Sequence, residues 1–358
     1  MRALAREGRV LWIDSIGYRV PTASKRDLRR ILTKLKAFGE DLREVEPNIW
    51  VLSPLAIPLY GSPLVQRLNR MLLRHQVQRA FRRLNFRRVI DWVFTTTAAV
   101  VAGTLGEEKV IYYCVDDFTA FSGAGTPALA AIEEQLLHRA DLVVVSSQSL
   151  LQNKSRHNSK TVLLRHGVQY DLFRKALDPS TRVPRDVARL PAPIIGYFGL
   201  LDDDWIDVDL LDQIAQRFAG GSVVLLGDVM MDLSRLERHG NVHLLGRRPH
   251  EELPGYCKAF DVAINVLPLN AVTLSASPLK VREYLAAGLP VVSTRIPEVE
   301  ILGDLIAIAD DHNDFVAKLE QALRDPGPKA ARSLRMKDQT WETRYFELKR
   351  HLLQHGIV

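Results

Sequence analysis

The chain is poor in several features that mark other classes of protein. Only two cysteines, Cys114 and Cys257, occur in 358 residues. Two are too few for a disulfide framework, so we expect a reducing compartment. No apolar run reaches the ~18 residues that a membrane-spanning helix requires. Residues 1–14 scatter charges and contain no apolar core, so we expect no secretory signal there.

The charge that is present is distributed unevenly. The net charge is +6, from 48 basic and 42 acidic residues. Residues 1–100 hold 19 of the basic and 8 of the acidic residues, and the rest of the chain is slightly acidic. This asymmetry predicts an anionic partner for the first part, either a nucleic acid or a membrane surface.

Short β-branched apolar runs alternate with amphipathic segments along most of the chain. This alternation is typical of parallel sheets covered by helices, and it predicts an α/β protein with two Rossmann-like, doubly wound domains. We expect an N-terminal domain at 1–175, a proline-rich linker at 176–192, a C-terminal domain at 193–325, and a helical segment at 326–358 that can cross back to the N-terminal domain. The candidate strands are residues 10–14, 49–52, 89–94, 110–114, 142–146, 161–164, 194–198, 223–226, 242–245, 262–266, 291–294 and 305–309.

The stretch from Ser277 to Thr294 predicts a loop, a helix and a buried strand. Lys280 and Glu283 are three residues apart, so they share a face near the start of the helix. A lysine at a helix N-terminus suits a pyrophosphate, and a carboxylate one turn later suits a ribose diol. From the residues alone, a capped surface helix with an ordinary ion pair is an equally good interpretation.

Three motifs together resemble the GT-B glycosyltransferases, in particular family 4 and its relatives. They are this stretch, the segment Gly196-Tyr-Phe-Gly-Leu200, and the segment running from Gly246-Arg-Arg-Pro249 through Leu253-Pro-Gly-Tyr256 to Phe260-Asp-Val262. The resemblance implies two domains facing a cleft, the first binding the acceptor and the second the nucleotide sugar. It also implies that the acceptor domain lacks the strand with which such domains usually begin.

The resemblance assigns roles to residues of the second domain. Glu283 would hold the ribose hydroxyls and Lys280 the diphosphate, while Gly199 would let the chain approach the phosphates. Arg247 would line the base pocket. Family 4 carries a second glutamate eight residues before Glu283, where this chain has Ser275, so the donor sugar and the stereochemistry stay open. The implied donor-binding residues are Gly199, Arg247, Ser277, Pro278, Leu279, Lys280 and Glu283.

Two acids follow a predicted strand of the first domain, at Asp116 and Asp117. Ligands of open α/β sheets bind at this edge, although aspartate is also a common helix cap. The surrounding sequence resembles the acceptor domain of bacterial exopolysaccharide glycosyltransferases, including glucuronosyltransferase-like ones. The resemblance implies a base here, first Asp116 and then Asp117. His166, in an Arg-His-Gly-Val segment, is a third catalytic candidate, or else an ordinary turn histidine.

Residues 64–88 carry eight arginines and no acid. Leu73, Val77, Phe81 and Leu84 form an apolar stripe at helical spacing, which predicts a basic amphipathic helix. We expect Arg67, Arg70 and Arg74 to contact an anionic membrane surface, with a solvated arginine face as the alternative. A second basic helix is predicted at 25–36. No nucleic-acid recognition motif accompanies the charge, so nucleic acid is the weaker prediction.

These observations predict a glycosyltransferase that moves a sugar from a nucleoside diphosphate, UDP first, to an acceptor hydroxyl. The resemblance implies a lipid-linked glycan acceptor in polysaccharide assembly, at the inner face of the plasma membrane. We expect no cofactor beyond the nucleotide-sugar substrate and no metal. The acidic run at 202–204 is better interpreted as a solvated loop. The alternatives are a catalytically silent nucleotide-sugar-binding protein and a GT-B-fold nucleotide-sugar epimerase.

Overall fold

The computed structural model describes residues 1–14, 42–57, 63–122 and 127–358. These residues divide into two units. The first comprises Met1–Ser146, Leu150–Leu163 and Leu348–Val358, and the second comprises Ser147–Ser149 and Leu164–Glu347. The linker predicted at 176–192 lies inside the second unit, because Phe173, Ala176 and Val187 are buried in its core.

The first unit contains two small sheets among its described residues. One has the order β1-β3-β2, with β1 and β3 parallel and β2 antiparallel to β3. The other has the order β4-β5-β6-β7, and all its strands are parallel. The strands are β1 (Val10–Ile13), β2 (Arg43–Glu46), β3 (Ile49–Leu52), β4 (Ile90–Val93), β5 (Lys109–Cys114), β6 (Leu142–Val145) and β7 (Thr161–Leu163).

Helices cover these sheets through apolar faces. The long basic helix α1 (Pro63–Arg83) buries Leu73, Val77 and Ala80 against Leu52 of β3, so the predicted apolar stripe is confirmed there. The other described helices of this unit are α2 (Pro127–Arg139), α3 (Gln148–Lys154), whose first two residues belong to the second unit, and the 3-10 helices Leu4–Arg6 and Thr96–Val100.

The second unit is built on one parallel sheet of six strands. Its order is β10-β9-β8-β11-β12-β13, which is the strand order of a Rossmann sheet. One core packs on each face, because alternate residues of each strand point to opposite sides; Ile195 and Tyr197 lie in one core, and Ile194 and Phe198 in the other. The strands are β8 (Ile194–Phe198), β9 (Ser222–Leu226), β10 (Val242–Leu244), β11 (Val262–Asn265), β12 (Val291–Thr294) and β13 (Ala307–Ala309).

The helices of the second unit connect these strands. Helix α10 illustrates how a capping residue and an apolar face define such a helix. The side chain of Asp311 caps the first turn by accepting a hydrogen bond from Asp314 N, and Phe315 and Leu319 face the core. Burying such side chains contributes about 1.5–3 kcal/mol each. The helices are α4 (Tyr170–Phe173), α5 (Val208–Arg217), α6 (Leu253–Ala259), α7 (Ala271–Ser275), α8 (Leu279–Ala286), α9 (Pro297–Glu300), α10 (His312–Arg324) and α11 (Lys329–Leu334), with 3-10 helices at Arg174–Leu177, Leu236–Arg238, His250–Glu252 and Gly303–Leu305. Helix α12 (Trp341–Gln354) begins in this unit and ends in the first.

The predicted strands all occur, with ends shifted by one or two residues. The sequence analysis missed β2, whose charged residues Arg43–Glu46 lack an apolar pattern because most of the strand is exposed. The acidic run lies in a loop, as predicted, with Asp203 exposed; only Asp204 is buried, and its carbonyl accepts a hydrogen bond from Asn270 Nδ2 at 3.0 Å. The predicted basic helix at 25–36 lies outside the described residues.

Candidate active site

The carboxyl edge of the second unit's sheet is lined by glycines with a positive φ. Gly199 follows β8 with φ 145°, and Gly227 follows β9 with φ 151°. Their backbones touch, because a Cβ on Gly227 would lie 1.8 Å from the carbonyl oxygen of Gly199. A Cβ on Gly199 would meet Lys280 Nζ at 2.8 Å. Only glycine fits such positions, and the absence of side chains leaves backbone open to a ligand.

Lys280 brings a half-buried cation to this edge. It lies in the first turn of α8, and its Nζ donates to the hydroxyl of Tyr197 at 2.6 Å and sits 4.2 Å from that ring's centroid. Among the described residues, no carboxylate lies within 4.0 Å of this ammonium group. Burial lowers the pKa of Lys280 to about 7, against the opposing charge of Glu283. An anion placed here would stabilise the charged form.

Glu283 lies one turn further along α8 and is buried. Its Oε1 accepts a hydrogen bond from His250 Nε2 at 2.9 Å, and that bond raises the pKa of His250 above its usual value. The imidazole also packs edge-on to Phe173, with ring centroids 5.2 Å apart. The carboxylate is therefore held in one orientation at the predicted ribose position, and His250 is a partner that the sequence analysis did not name.

The remaining donor-binding candidates differ in their surroundings. Ser277 is buried, and its Oγ has no hydrogen-bond partner. Pro278 immediately precedes α8, and Leu279 is the first residue of the helix. The Arg247 side chain is exposed, and its Nη1 lies 3.6 Å from Oδ2 of Asp228. The buried, unsatisfied Ser277 hydroxyl is the one of these groups that needs a further partner.

His166 belongs to a cluster of buried charges in the same unit. Burial and the nearby Arg282 guanidinium lower the pKa of His166 to about 4, so the ring is neutral at pH 7. Its Nδ1 and Nη1 of Arg282 are both buried without a hydrogen-bond partner. The buried Glu298 pairs instead with Arg165, with Nε and Oε2 2.9 Å apart. The cluster thus contains two buried nitrogen atoms able to bind a ligand.

In the first unit, Asp117 follows β5, and its carboxylate contacts two other side chains. Its Oδ1 accepts from Thr119 Oγ1 at 2.6 Å and lies 3.6 Å from Lys154 Nζ. Lys154 in turn donates to the buried Glu133 at 2.8 Å. These contacts describe a structural turn held by an ion-pair network; no helix begins at this residue, so it is not the helix cap of the alternative interpretation.

Asp116, its neighbour, sits in a different environment. It is half-buried, and burial together with the charge of Asp117 raises its pKa to about 6. A carboxylate that accepts a proton close to neutral pH suits a general base. The structure therefore separates the two acids and leaves Asp116 as the better catalytic candidate.

Helix α1 presents its basic face outward. Arg67, Arg70 and Arg74 are all exposed, and Arg70 Nε also donates to the carbonyl of Val100 at 3.0 Å. Beside them, Leu64 and Met71 have exposed fractions of 79% and 63%. Within the described ranges, no helix is long and apolar enough to cross a membrane.

Sequence reasoning missed several residues of these two regions. Gly227 could have been found, because it follows an apolar strand as Gly199 does. The contacts of Tyr197, His250, Lys154 and Glu133 could not be predicted, because their partners are far away along the chain.

Part of the second unit matches a known family model. Residues 192–325 match the model of the family Glycosyl transferases group 1. A curated relative is a Bacillus subtilis (strain 168) protein provisionally described as the teichuronic acid biosynthesis glycosyltransferase TuaH. It is 24% identical over an alignment of 270 positions that covers 68% of this chain and 66% of the relative. The chain therefore spans just under two thirds of that protein's length.

Solved structures share the fold over nearly the whole chain. Sucrose-phosphate synthase of Thermosynechococcus elongatus superposes with a TM-score of 0.69 at 16% identity, covering 97% of this chain and 98% of that one. Anabaena HepE, solved in complex with UDP-glucose, has a TM-score of 0.66 at 15% identity, covering 97% and 99%. The UDP-forming trehalose-phosphate synthase of Burkholderia xenovorans has 0.66 at 12%, covering 98% and 99%. The prediction of a GT-B fold is confirmed.

Proposed function

We propose that this GT-B enzyme, which carries a group 1 glycosyltransferase domain at residues 192–325, transfers a sugar from a UDP-sugar to an acceptor hydroxyl. The observation that carries the proposal is the half-buried Lys280 ammonium, which has no carboxylate partner among the described residues and lies against Gly199. A cation in such a place is costly until an anion joins it. A diphosphate supplies that anion.

The surrounding groups suit the rest of the nucleotide. Glu283, one turn from Lys280, is placed to accept hydrogen bonds from a ribose diol. The unsatisfied Ser277 Oγ can donate to a phosphate oxygen. The complexes of HepE with UDP and UDP-glucose support UDP as the nucleotide to test first.

Asp116 is the proposed base for the transfer. The acceptor oxygen attacks the anomeric carbon of the donor, its proton passes to the Asp116 carboxylate, and the bond from the anomeric carbon to the diphosphate oxygen breaks. Lys280 stabilises the negative charge that develops on the departing diphosphate. General-base catalysis of this kind contributes about 10²–10⁴-fold.

The acceptor is proposed to be a lipid-linked glycan, and the enzyme to act at the cytoplasmic face of the plasma membrane. Helix α1 supports this because exposed arginines and exposed apolar residues occur together on it. Arg67 and Arg74 can pair with anionic head groups, while Leu64, Leu68 and Met71 can enter the interface. Each arginine near an anionic leaflet contributes about 1 kcal/mol.

A donor screen tests the proposed transfer. UDP release is measured from a panel of UDP-sugars, with and without a lipid-linked glycan acceptor. We expect UDP release that depends on both partners. Conversion of one UDP-sugar into another without release would show an epimerase, and UDP binding with no turnover on any donor would show a silent binding protein.

Vesicle co-sedimentation tests the membrane proposal separately. Reversing Arg67, Arg70 and Arg74 to glutamate should release the protein from anionic vesicles and leave UDP binding unchanged. Reversal of Arg182, Arg185 and Arg189, three exposed arginines of the second unit, is the matched control and should not release it. Equal binding of wild type to neutral and anionic vesicles would contradict the electrostatic contact, which is also expected to weaken with salt.

A further inference from the structure

Two histidines and a glutamate meet on the surface of the first unit. Glu134 and His138 are one turn apart on α2, so they share a face of that helix. His157 follows α3 and comes beside them. Their three ligand atoms lie within 4.8 Å of one another, and no other such group of three occurs in the described part of the chain.

The distances suit a shared metal ion better than hydrogen bonds. One oxygen atom, Oε1 of Glu134, lies 3.8 Å from His138 Nε2 and 3.7 Å from His157 Nδ1. Both separations exceed the ~3.2 Å limit of an ordinary N–H···O hydrogen bond. Ligands around a tetrahedral Zn²⁺ with bonds of about 2.0–2.1 Å lie about 3.3 Å apart, so a small rotation of each side chain closes the site.

The chain around His157 is held to α2 by hydrogen bonds. The side-chain amide of Asn158, the next residue, donates to the carbonyls of Leu137 and Ala140, each at 2.8 Å. One turn earlier, Lys154 of α3 forms the buried ion pair with Glu133, the neighbour of Glu134. These contacts fix the relative backbone positions of the three ligand residues. This reduces the conformational entropy that is lost when the three side chains bind an ion.

We propose that Glu134, His138 and His157 bind a divalent transition-metal ion, with Zn²⁺ as the reference ion. Imidazole nitrogen and carboxylate oxygen are ligands that Zn²⁺ accepts, and a site with three protein ligands leaves the fourth position for water or a partner's side chain. The bound ion would link α2 to the turn after α3 and stabilise the first unit. The proposal does not depend on the transferase function.

Isothermal titration of tag-free protein with ZnCl₂ at pH 7.5 tests the site. We expect one saturable site per chain, and His138→Ala and His157→Ala each to weaken it at least ~10-fold, because each removes a direct ligand. Zn²⁺ should raise the melting temperature of wild type, and EDTA should reverse the rise. His75→Ala removes another exposed histidine of the same unit and should bind Zn²⁺ as wild type does.

The outcomes distinguish Zn²⁺ binding at these three residues from unfolding and from binding elsewhere on the protein. Because all three side chains are exposed, the variants should keep the wild-type melting temperature in EDTA, so lost binding cannot be attributed to unfolding. No saturable Zn²⁺ binding by wild type, or equal binding by the His138→Ala, His157→Ala double variant, would overturn the proposal.

Discussion

Two lysines, the buried Lys154 of the first unit and the half-buried Lys280 of the second, have opposite electrostatic surroundings. Lys154 in the first unit lies 2.8 Å from Glu133 and 3.6 Å from Asp117. Lys280 in the second unit contacts the hydroxyl and ring of Tyr197 and, among the described residues, no carboxylate. Burial lowers the pKa of Lys154, but the charges of its partners outweigh this and raise it; the pKa of Lys280 falls to about 7.

The contrast separates a structural charge from a binding charge. The positive charge of Lys154 is already balanced by neighbouring carboxylates, so this lysine has a structural role. It holds Asp117 in place and leaves Asp116 as the acid with a raised pKa. Lys280 has no such counter-charge beside it among the described residues, so an anionic ligand would stabilise its charged form. Partner charges, rather than burial, therefore indicate which lysine is the candidate for binding a diphosphate.

The largest expected effect is on the rate of catalysis. It tests whether, of the two acids of the first unit, Asp116 acts as the base and Asp117 has a structural role. Asp116→Asn should lower turnover about 10²–10⁴-fold and spare UDP binding, because the base acts on the acceptor. Steady-state kinetics with a UDP-sugar and its acceptor, beside a UDP titration, gives both numbers. Near-full activity of Asp116→Asn together with an inactive Asp117→Asn would move the base to Asp117, and activity in both would direct attention to His166.

A second comparison concerns the lysines themselves. Lys154→Met leaves the Glu133 carboxylate buried without its cationic partner, so it should lower the free energy of unfolding by about 3–5 kcal/mol. Lys280→Met removes a half-buried cation that no described carboxylate pairs with, so the free energy of unfolding should stay the same or rise. Chemical denaturation of the two variants measures both effects. Equal destabilisation by the two substitutions would contradict the contrast.

Much of this arrangement could be predicted from the sequence, for definable reasons. Strand positions follow from β-branched apolar runs, and the placing of Lys280 and Glu283 on one helical face follows from their spacing. The partners Tyr197 and His250 could not be predicted, because they come from other strands and loops and only the folded chain brings them close. The separate environments of Asp116 and Asp117 depend on Lys154, which is equally distant along the chain.

The smallest expected effect is the pH dependence of nucleotide binding. Since the pKa of Lys280 is about 7 in the free protein and a diphosphate favours the charged form, binding above pH 7 must take up a proton. Affinity for UDP should therefore fall as the pH rises from 7.5 to 9, by up to about tenfold per pH unit. Calorimetry in two buffers of different ionisation enthalpy measures the proton uptake, which should be absent in Lys280→Met.

The measurement that tests the central claim most directly is a UDP titration of wild type and Lys280→Met at pH 7, with Lys337→Met as the control. Lys337 is an exposed lysine of the same unit, so its loss should leave UDP affinity unchanged. Lys280→Met removes the charge proposed to hold the diphosphate and should weaken binding by about 1.5–3 kcal/mol, roughly 10–100-fold. Equal UDP affinity in Lys280→Met and wild type would contradict the assignment of this edge as the nucleotide-sugar site.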